Sequence, residues 1–279
     1  MQVRNEWWKR AWAWCVEAAR ETAACWRPAA ALLRRDLWRP LALIVVLSFL
    51  PNLLYFRIHG ANGIFYFVHS FVLVPLLFAA LAQVQLTALW GGSVSLADTV
   101  REKARQWREL LMLAFFGVMM EQMGAFVTGT VSRLVLSLLG LVTWIPLLGP
   151  LLGAVFSALV MLLVIFVGTL SLQGVYFAWL MREAQRTPVL LTLSTTWGFV
   201  KEHARPIVGL YACFAIVRTV LELLPRMDVP MWWPHALSAL ILLLGTSYAA
   251  ALFAAAMGPR AHTPPDDLGN MKRANIPEE

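Results

Sequence analysis

The feature that most constrains this chain is a series of long apolar segments separated by basic ones. An apolar helix needs about 20 residues to cross the hydrocarbon core of a bilayer, and segments near that length recur six times. The 279 residues are 59% hydrophobic and only 14% charged, whereas a globular domain carries about 25% charged residues. The sequence therefore predicts an all-α, polytopic membrane helical bundle. The predicted spans are 41–58, 64–90, 110–130, 151–180, 207–224 and 236–257.

The predicted membrane domain, 40–258, contains one apolar segment that we do not assign as a span. The segment 131–150 starts near Arg133 and ends with two prolines and a glycine. We interpret it as an interfacial helix and a turn at the outer surface, with a seventh or re-entrant segment as the alternative. Gly91-Gly92 and Gly258-Pro259 are predicted to stop the second and the last spanning helix, and the cytoplasmic tail 259–279 is predicted to be disordered.

Basic residues gather on one side of the predicted bundle. Nineteen of the 23 Lys and Arg fall in 1–39, 91–109, 181–206 and the tail. Cytoplasmic loops carry such an excess, so we expect a multi-pass membrane protein with both termini in the cytoplasm. The same rule explains the net charge of +7. No basic segment has the pattern of a nucleic-acid reader, so no nucleic-acid partner is expected.

The N-terminal segment 1–39 reads as an amphipathic, Trp-rich helix. Its Trp are interleaved with basic side chains, which suits a helix lying among the lipid headgroups. The alternative is a soluble helix packed beneath the membrane domain. The expected partners are the lipid bilayer and its anionic headgroups, and also other membrane proteins. The predicted membrane-surface anchors are Trp7, Trp8, Trp12, Trp14, Trp26 and Trp38.

Three segments share one plan, in which an amphipathic cytoplasmic helix runs directly into a span. The junctions are 37–41, 106–110 and 203–207. We predict three repeats, each a surface helix followed by a helical hairpin of two spans; chance similarity among apolar, basic segments is the alternative. Apolar residues at helical spacing form one apolar stripe along each of the second and third surface helices. These residues are Leu96, Val100, Ala104, Trp107 and Leu111 in the second, and Leu190, Leu193, Trp197, Val200 and Ala204 in the third.

Two short segments at these surface helices match a known pattern. One is 93–98, which precedes a basic helix, and the other is 187–197, which is followed by Lys201 and Arg205-Pro206. Over about residues 30–258 the chain resembles a group of bacterial six-span inner-membrane proteins. The group includes the YciC type and the membrane domain attached to some glycerophosphodiester phosphodiesterases. Thr196-Trp197 stands where Ser-Trp is usual in that group. The resemblance implies a six-span architecture, a place in the bacterial cytoplasmic (inner) membrane and no catalytic residues, and this chain has no phosphodiesterase domain.

Charged and amide side chains inside the predicted spans are the candidates for a functional site. A charge at mid-membrane costs roughly 2.5–3.5 kcal/mol and usually has a partner. Glu121 and Arg218 fall at equivalent mid-membrane positions of the repeat, and we predict an ion pair between them. The competing pairing is Arg218 with Glu222 on one helix. The pair is either a structural clasp or the gate or proton-coupled site of a transporter. The other polar candidates in the spans are Asn52, Gln122, Gln83, Gln85, Gln173 and His69.

The sequence lacks the motifs of enzyme active sites. Its His residues are dispersed, its three Cys have no metal-ligand spacing, and it has no phosphate-binding loop or nucleophile elbow. We therefore expect no enzymatic activity, no cofactor and no metal. The leading interpretation is a non-enzymatic scaffold or accessory protein in an envelope or transport assembly. The alternative is a small-molecule permease, or a permease subunit of an exporter, with a polar site at Glu121 and Arg218.

Overall fold

The described part of the chain consists of helices, turns and no β-strand, in agreement with the predicted all-α class. The structure is a computed structural model. The residues that it describes are 3–49, 67–142, 152–153, 155–156, 160, 175–210, 212–213 and 233–258.

The helices are labelled here in chain order. The first three are α1 (Val3–Arg35), α2 (Trp38–Ile44, continued by the π-helical turn Val45–Phe49) and α3 (His69–Leu89, with π-helical residues His69–Leu73). They are followed by α4 (Leu96–Arg105), α5 (Trp107–Val142), α6 (175–185), α7 (Val189–Glu202), α8 (204–210) and α9 (Trp233–Met257).

Three of the described helices are long and apolar enough to cross a membrane. They are His69–Leu89, Trp107–Val135 and His235–Met257. The first and third coincide with the predicted spans 64–90 and 236–257. Trp38–Phe49 is a shorter apolar helix at the start of the predicted span 41–58. Most of the predicted spans 151–180 and 207–224 lies outside the described residues, so six spans and a threefold repeat stay predictions.

α5 differs from its prediction at the C-terminal end. The predicted span ends at Thr130, but the helix continues to Val142, so 131–142 does not begin a separate interfacial helix. The stretch contains no proline, and therefore nothing in it stops the helix. At about 1.5 Å per residue, α5 measures about 54 Å, whereas the hydrocarbon core is about 30 Å thick. A helix of this length tilts or projects beyond the bilayer. Residues 143–150, where a re-entrant turn is the alternative, lie outside the described residues.

α3 occupies the centre of the described bundle. It contacts α1, α2, α4, α5 and α9, and 61% of its spanning window is buried, compared with 19% for α5. Small side chains let membrane helices approach closely, and both α3 and α9 bury runs of alanine. These are Ala79, Ala80 and Ala82 in α3, and Ala249, Ala250 and Ala251 in α9.

Glycines end two of the spanning helices at the predicted positions. Gly91 follows α3 with φ of +88°, and the N–H of Gly92 donates to the Thr87 carbonyl at 2.8 Å. Gly258 follows α9 with φ of +65°, and its N–H donates to the Ala254 carbonyl at 3.0 Å. Glycine adopts this left-handed conformation without a steric penalty, so it terminates both helices cleanly.

Candidate functional site

The candidate site comprises the three helices α1, α4 and α7, which precede α2, α5 and α8 in the chain. α1 packs along α9 through small side chains spaced three, four or seven residues apart, so they share one face of the helix. The buried members of this face are Ala18, Thr22, Ala29 and Leu32, with Cys25 half-buried among them.

One contact shows how closely α1 approaches the membrane domain. A Cβ atom on Gly209 of α8 would lie 2.2 Å from Thr22 Oγ1, well inside van der Waals contact. The Thr22 hydroxyl is held in place because it donates to the Ala18 carbonyl at 2.6 Å. Only glycine fits at position 209 in this arrangement.

α4 and α7 pack against the protein through only part of their apolar stripes. Leu96 and Val100 of α4, and Leu193 and Val200 of α7, are partly buried against the core. The buried residues beside them are Thr99 and Lys103 in α4, and Val189, Thr192, Thr196 and Phe199 in α7. The largest residues of the stripes point away from the protein: Leu190 is 69% exposed, Trp197 60% and Trp107 57%.

Most of the described Trp side chains of 1–39 also point away from the protein. Trp8, Trp12, Trp14 and Trp38 are exposed, whereas Trp26 is half-buried with its ring 5.2 Å from that of Tyr248. Trp7 lies in α1, but its side chain lies outside the described residues. One face of α1 therefore packs against the bundle, and another presents aromatic rings outward.

Basic side chains lie over two of the outward Trp rings. Lys201 Nζ is 5.2 Å from the centre of the Trp197 ring, and Arg108 Cζ is 5.9 Å from that of Trp107. A cation within about 6 Å of an aromatic face is attracted to it. The pairing of an apolar ring with a cationic head is typical of the membrane–water interface.

A buried hydrogen-bonded cluster joins α3, α6 and α9. Gln85 is completely buried; its Oε1 accepts a hydrogen bond from the Tyr176 hydroxyl at 2.7 Å. Its Nε2 donates to Ser247 Oγ at 3.2 Å and to Thr246 Oγ1 at 3.5 Å. Because Gln85 lies in α3, Tyr176 in α6 and both hydroxyl acceptors in α9, the Gln85 cluster fixes the register of three helices at once.

A second cluster, of charged residues, attaches α4 to α6. Lys103 Nζ lies 2.5 Å from Glu183 Oε2, and both side chains are nearly buried. Beside them, Gln83 Nε2 donates to Glu102 Oε2 at 3.3 Å. Burial raises the pKa of the Glu183 carboxyl, and the attraction of Lys103 offsets this shift only in part.

Arg182 extends the charged cluster towards α5. It forms an ion pair with Glu109 and donates to the Thr187 carbonyl at 2.8 Å. Burial lowers the pKa of Arg182, but an arginine remains charged at neutral pH. The ends of α4, α5 and α6 are therefore linked by charge at one level of the bundle.

Arginines also attach the C-terminal end of α1 to α3 and the N-terminal end of α8 to α1. Arg35 donates to the carbonyls of Ala88 and Gly91 at 3.2 and 3.0 Å, where the end of α3 leaves carbonyls without helical partners. Arg205 lies 2.8 Å from Glu17 and 3.7 Å from Glu21. The sequence gives no sign of either of these contacts.

His69 occupies the π-helical start of α3 and contacts the π-helical turn after α2. Its Nε2 lies 2.8 Å from the Leu47 carbonyl oxygen. A carbonyl can only accept, so Nε2 carries the proton and donates. Among the residues that the structure describes, no group of His, Cys, Asp and Glu could hold a metal ion.

The predicted mid-membrane ion pair lies largely outside the described residues. Glu121 lies within α5, but its side chain lies outside the described residues, and Gln122 beside it is exposed. Arg218 and its alternative partner Glu222 lie outside the described residues, as do Asn52 and Gln173. The pairing of Glu121 with Arg218, or of Arg218 with Glu222, stays a prediction.

Sequence reasoning missed the strongest polar contacts of the bundle. Lys103, Glu183 and Tyr176 were not among the predicted site residues. One available signal was the spacing of Leu96, Thr99, Val100 and Lys103, which places the lysine on an otherwise apolar face. The partner could not be identified in the same way, because 80 residues separate Lys103 from Glu183.

Comparisons with protein-family models, with curated proteins and with solved structures find no match to this chain. The function is therefore argued from the described residues themselves.

Proposed function

We propose that the chain is a non-enzymatic integral protein of the bacterial cytoplasmic membrane that acts as a scaffold or accessory in an envelope or transport assembly. Its three surface helices lie in the cytoplasmic interface of the bilayer. They form a platform attached to the spans, on which lipids and other membrane proteins bind.

The observation that carries this proposal is the outward direction of the largest apolar side chains. Trp12, Leu190 and Trp197 are each at least 60% exposed, while threonine and alanine face the bundle. In water this arrangement would leave apolar rings unburied, whereas at the lipid headgroups it gives each ring an apolar surrounding and each neighbouring cation a polar one.

The buried polar groups support a rigid platform. Gln85 bonds to Tyr176 and to Ser247 across three helices, and Lys103 pairs with Glu183. The Gln85 bonds hold α3, α6 and α9 in register, and the ion pair holds the surface helix α4 on α6. A scaffold needs such a fixed surface, because its partners bind to a defined geometry.

One observation favours the alternative, a small-molecule permease. Gln83 Oε1 is buried and accepts no hydrogen bond from any described residue, so a water or a polar solute would satisfy it. In this second proposal Gln83 lies near the cytoplasmic end of a polar path, and Glu121 and Arg218 form the site at mid-membrane.

The proposal includes six spans as three repeats, with both termini in the cytoplasm. The resemblance to the YciC-type group supports the same arrangement. Reporter fusions after residues 61, 100, 145, 190, 229 and 265 test it. We expect external signals at 61, 145 and 229 and cytoplasmic signals at the other three. An external signal at 100 or 190 would contradict the six-span arrangement.

Purification and transport assays separate the scaffold from the permease. The full chain is purified in a mild detergent, bound proteins are identified by mass spectrometry, and solute flux is measured in reconstituted vesicles. A scaffold retains specific partner proteins and shows no flux. Flux that is lost in Glu121→Gln and kept in the neighbouring control Gln122→Glu would establish the permease instead.

A further inference from the structure

An open groove of about 530 Å³ lies along the C-terminal half of α1. It is lined by Arg27, Ala30, Ala31, Arg34 and Arg35. The two alanines lie between the arginines along the helix, and their small side chains leave the space that the groove occupies. Three guanidinium groups around one groove make it a site for anions.

Two of the three arginines are available to a ligand. Arg27 and Arg34 are exposed, and neither has an ion pair with any residue in the described part of the chain. They lie seven residues apart, which is nearly two turns, so they project from the same side of α1 about 10 Å apart along its axis. The nearby acid Asp36 is paired with Arg39 at 3.3 Å and does not occupy the groove.

The third arginine indicates the depth of the groove. Arg35 donates to the carbonyls of Ala88 and Gly91, at the end of the membrane-spanning helix α3. The end of a span marks the border of the hydrocarbon core, where lipid phosphates lie. Trp26 and Trp38, on either side of the groove in the chain, fit the same border.

We propose that this groove binds the headgroup of cardiolipin, a phospholipid with two phosphates joined by one glycerol. Arg27 contacts one phosphate and Arg34 the other, while Arg35 adds charge from its fixed position. Arginine binds phosphate oxygens through paired N–H groups, and basic pockets beside spans on the cytoplasmic side suit such a headgroup. This inference rests on the proposed placement of α1 in the membrane interface.

Lipid retention by the purified full chain tests the inference. The chain is reconstituted in vesicles of phosphatidylcholine with cardiolipin, or with phosphatidylglycerol at equal total charge, then re-extracted and analysed for bound lipid. We expect cardiolipin to be enriched several-fold over phosphatidylglycerol. Arg27→Gln/Arg34→Gln should abolish that enrichment.

A matched variant separates a site from a general charge effect. Lys9→Gln/Arg20→Gln removes two exposed charges from the same helix outside the groove, and it should keep the enrichment. Equal retention of the two lipids by the unmodified chain would overturn the inference, as would equal loss in both variants. Neither result depends on partner capture or solute flux, so each would leave the proposed scaffold function standing.

Discussion

Lys103 and Glu183 form a nearly buried ion pair that fastens the surface helix α4 to α6, with 2.5 Å between Nζ and Oε2. The lysine side chain is 3% exposed and the glutamate 10%. Such a pair fixes the position of a helix, because either charge alone would be left in an apolar surrounding.

Removing one partner of this pair should destabilise the protein far more than removing both. Lys103→Met or Glu183→Gln alone should lower the free energy of unfolding by about 3–5 kcal/mol, because the other polar group stays buried without its partner. The double variant Lys103→Met/Glu183→Met should recover most of that loss. Denaturation in detergent measures all three.

The exposed pair of Arg205 with Glu17 provides the control. Both side chains are about half exposed, so Glu17→Gln should change the free energy of unfolding by less than about 1 kcal/mol. A double variant of Lys103 and Glu183 as unstable as the sum of its single changes would contradict the pairing.

A methyl group at Gly209 should separate α1 from α8. Gly209→Ala places a Cβ 2.2 Å from Thr22 Oγ1, and such overpacking costs about 1–3 kcal/mol. Thr22→Ala removes the hydroxyl, so Thr22→Ala/Gly209→Ala should regain most of the lost stability. Thermal unfolding in detergent compares the variants.

Gly198 of α7 provides the matched control for Gly209→Ala. A Cβ there meets no atom within 4 Å, and alanine favours a helix by up to about 1 kcal/mol over glycine. Gly198→Ala should therefore be neutral or stabilising. If Gly209→Ala is equally harmless, the close approach of α1 to α8 is wrong.

The two natural cysteines of α1, Cys15 and Cys25, distinguish its exposed face from the face that packs against the protein. Burial raises the pKa of the Cys25 thiol, a hydrogen bond with Tyr248 opposes this, and Glu21 adds to it. A higher pKa means less thiolate at neutral pH, so Cys25 should react slowly with maleimide and accelerate as the pH rises into the alkaline range. Cys15 is exposed and should react faster at neutral pH.

Labelling is measured in Cys15→Ser/Cys213→Ser and in Cys25→Ser/Cys213→Ser, so that one thiol remains in each. Equal rates at neutral pH for the two thiols would show that the Cys25 face of α1 is not packed. Unfolding both variants in detergent should make the two rates converge, which tests that the difference comes from the fold.

The positions of the spanning helices were largely predictable, because length and hydropathy alone decide whether a segment can cross a bilayer. α3 and α9 agree with their predicted spans within a few residues, and the terminating glycines Gly91 and Gly258 were recognisable from the sequence. The C-terminal extent of α5 was not predictable in the same way. Arg133 suggests the start of a new element, but a single exposed charge does not end a helix.

Apolar periodicity located the apolar stripes of α4 and α7, but not how much of each stripe packs against the protein. That rule assumes that large apolar side chains turn towards the protein, as they do in water. At a membrane interface the lipid is a second apolar surrounding, so Trp197 and Leu190 can face outward while Thr192 and Thr196 pack inward. Periodicity finds the apolar faces but does not tell which of them meets the protein.

The most direct test is whether lipid or water surrounds the exposed faces of α1 and α7. Spin labels are placed at positions 12 and 197, and at the control positions 24 and 202 on the same helices, in a cysteine-free chain reconstituted in vesicles. Collision rates are then measured with oxygen, which concentrates in lipid, and with a water-soluble nickel chelate. We predict that oxygen dominates at Trp12 and Trp197 and the chelate at Ala24 and Glu202. Dominance of the chelate at all four positions would place the helices in water and contradict the interfacial platform.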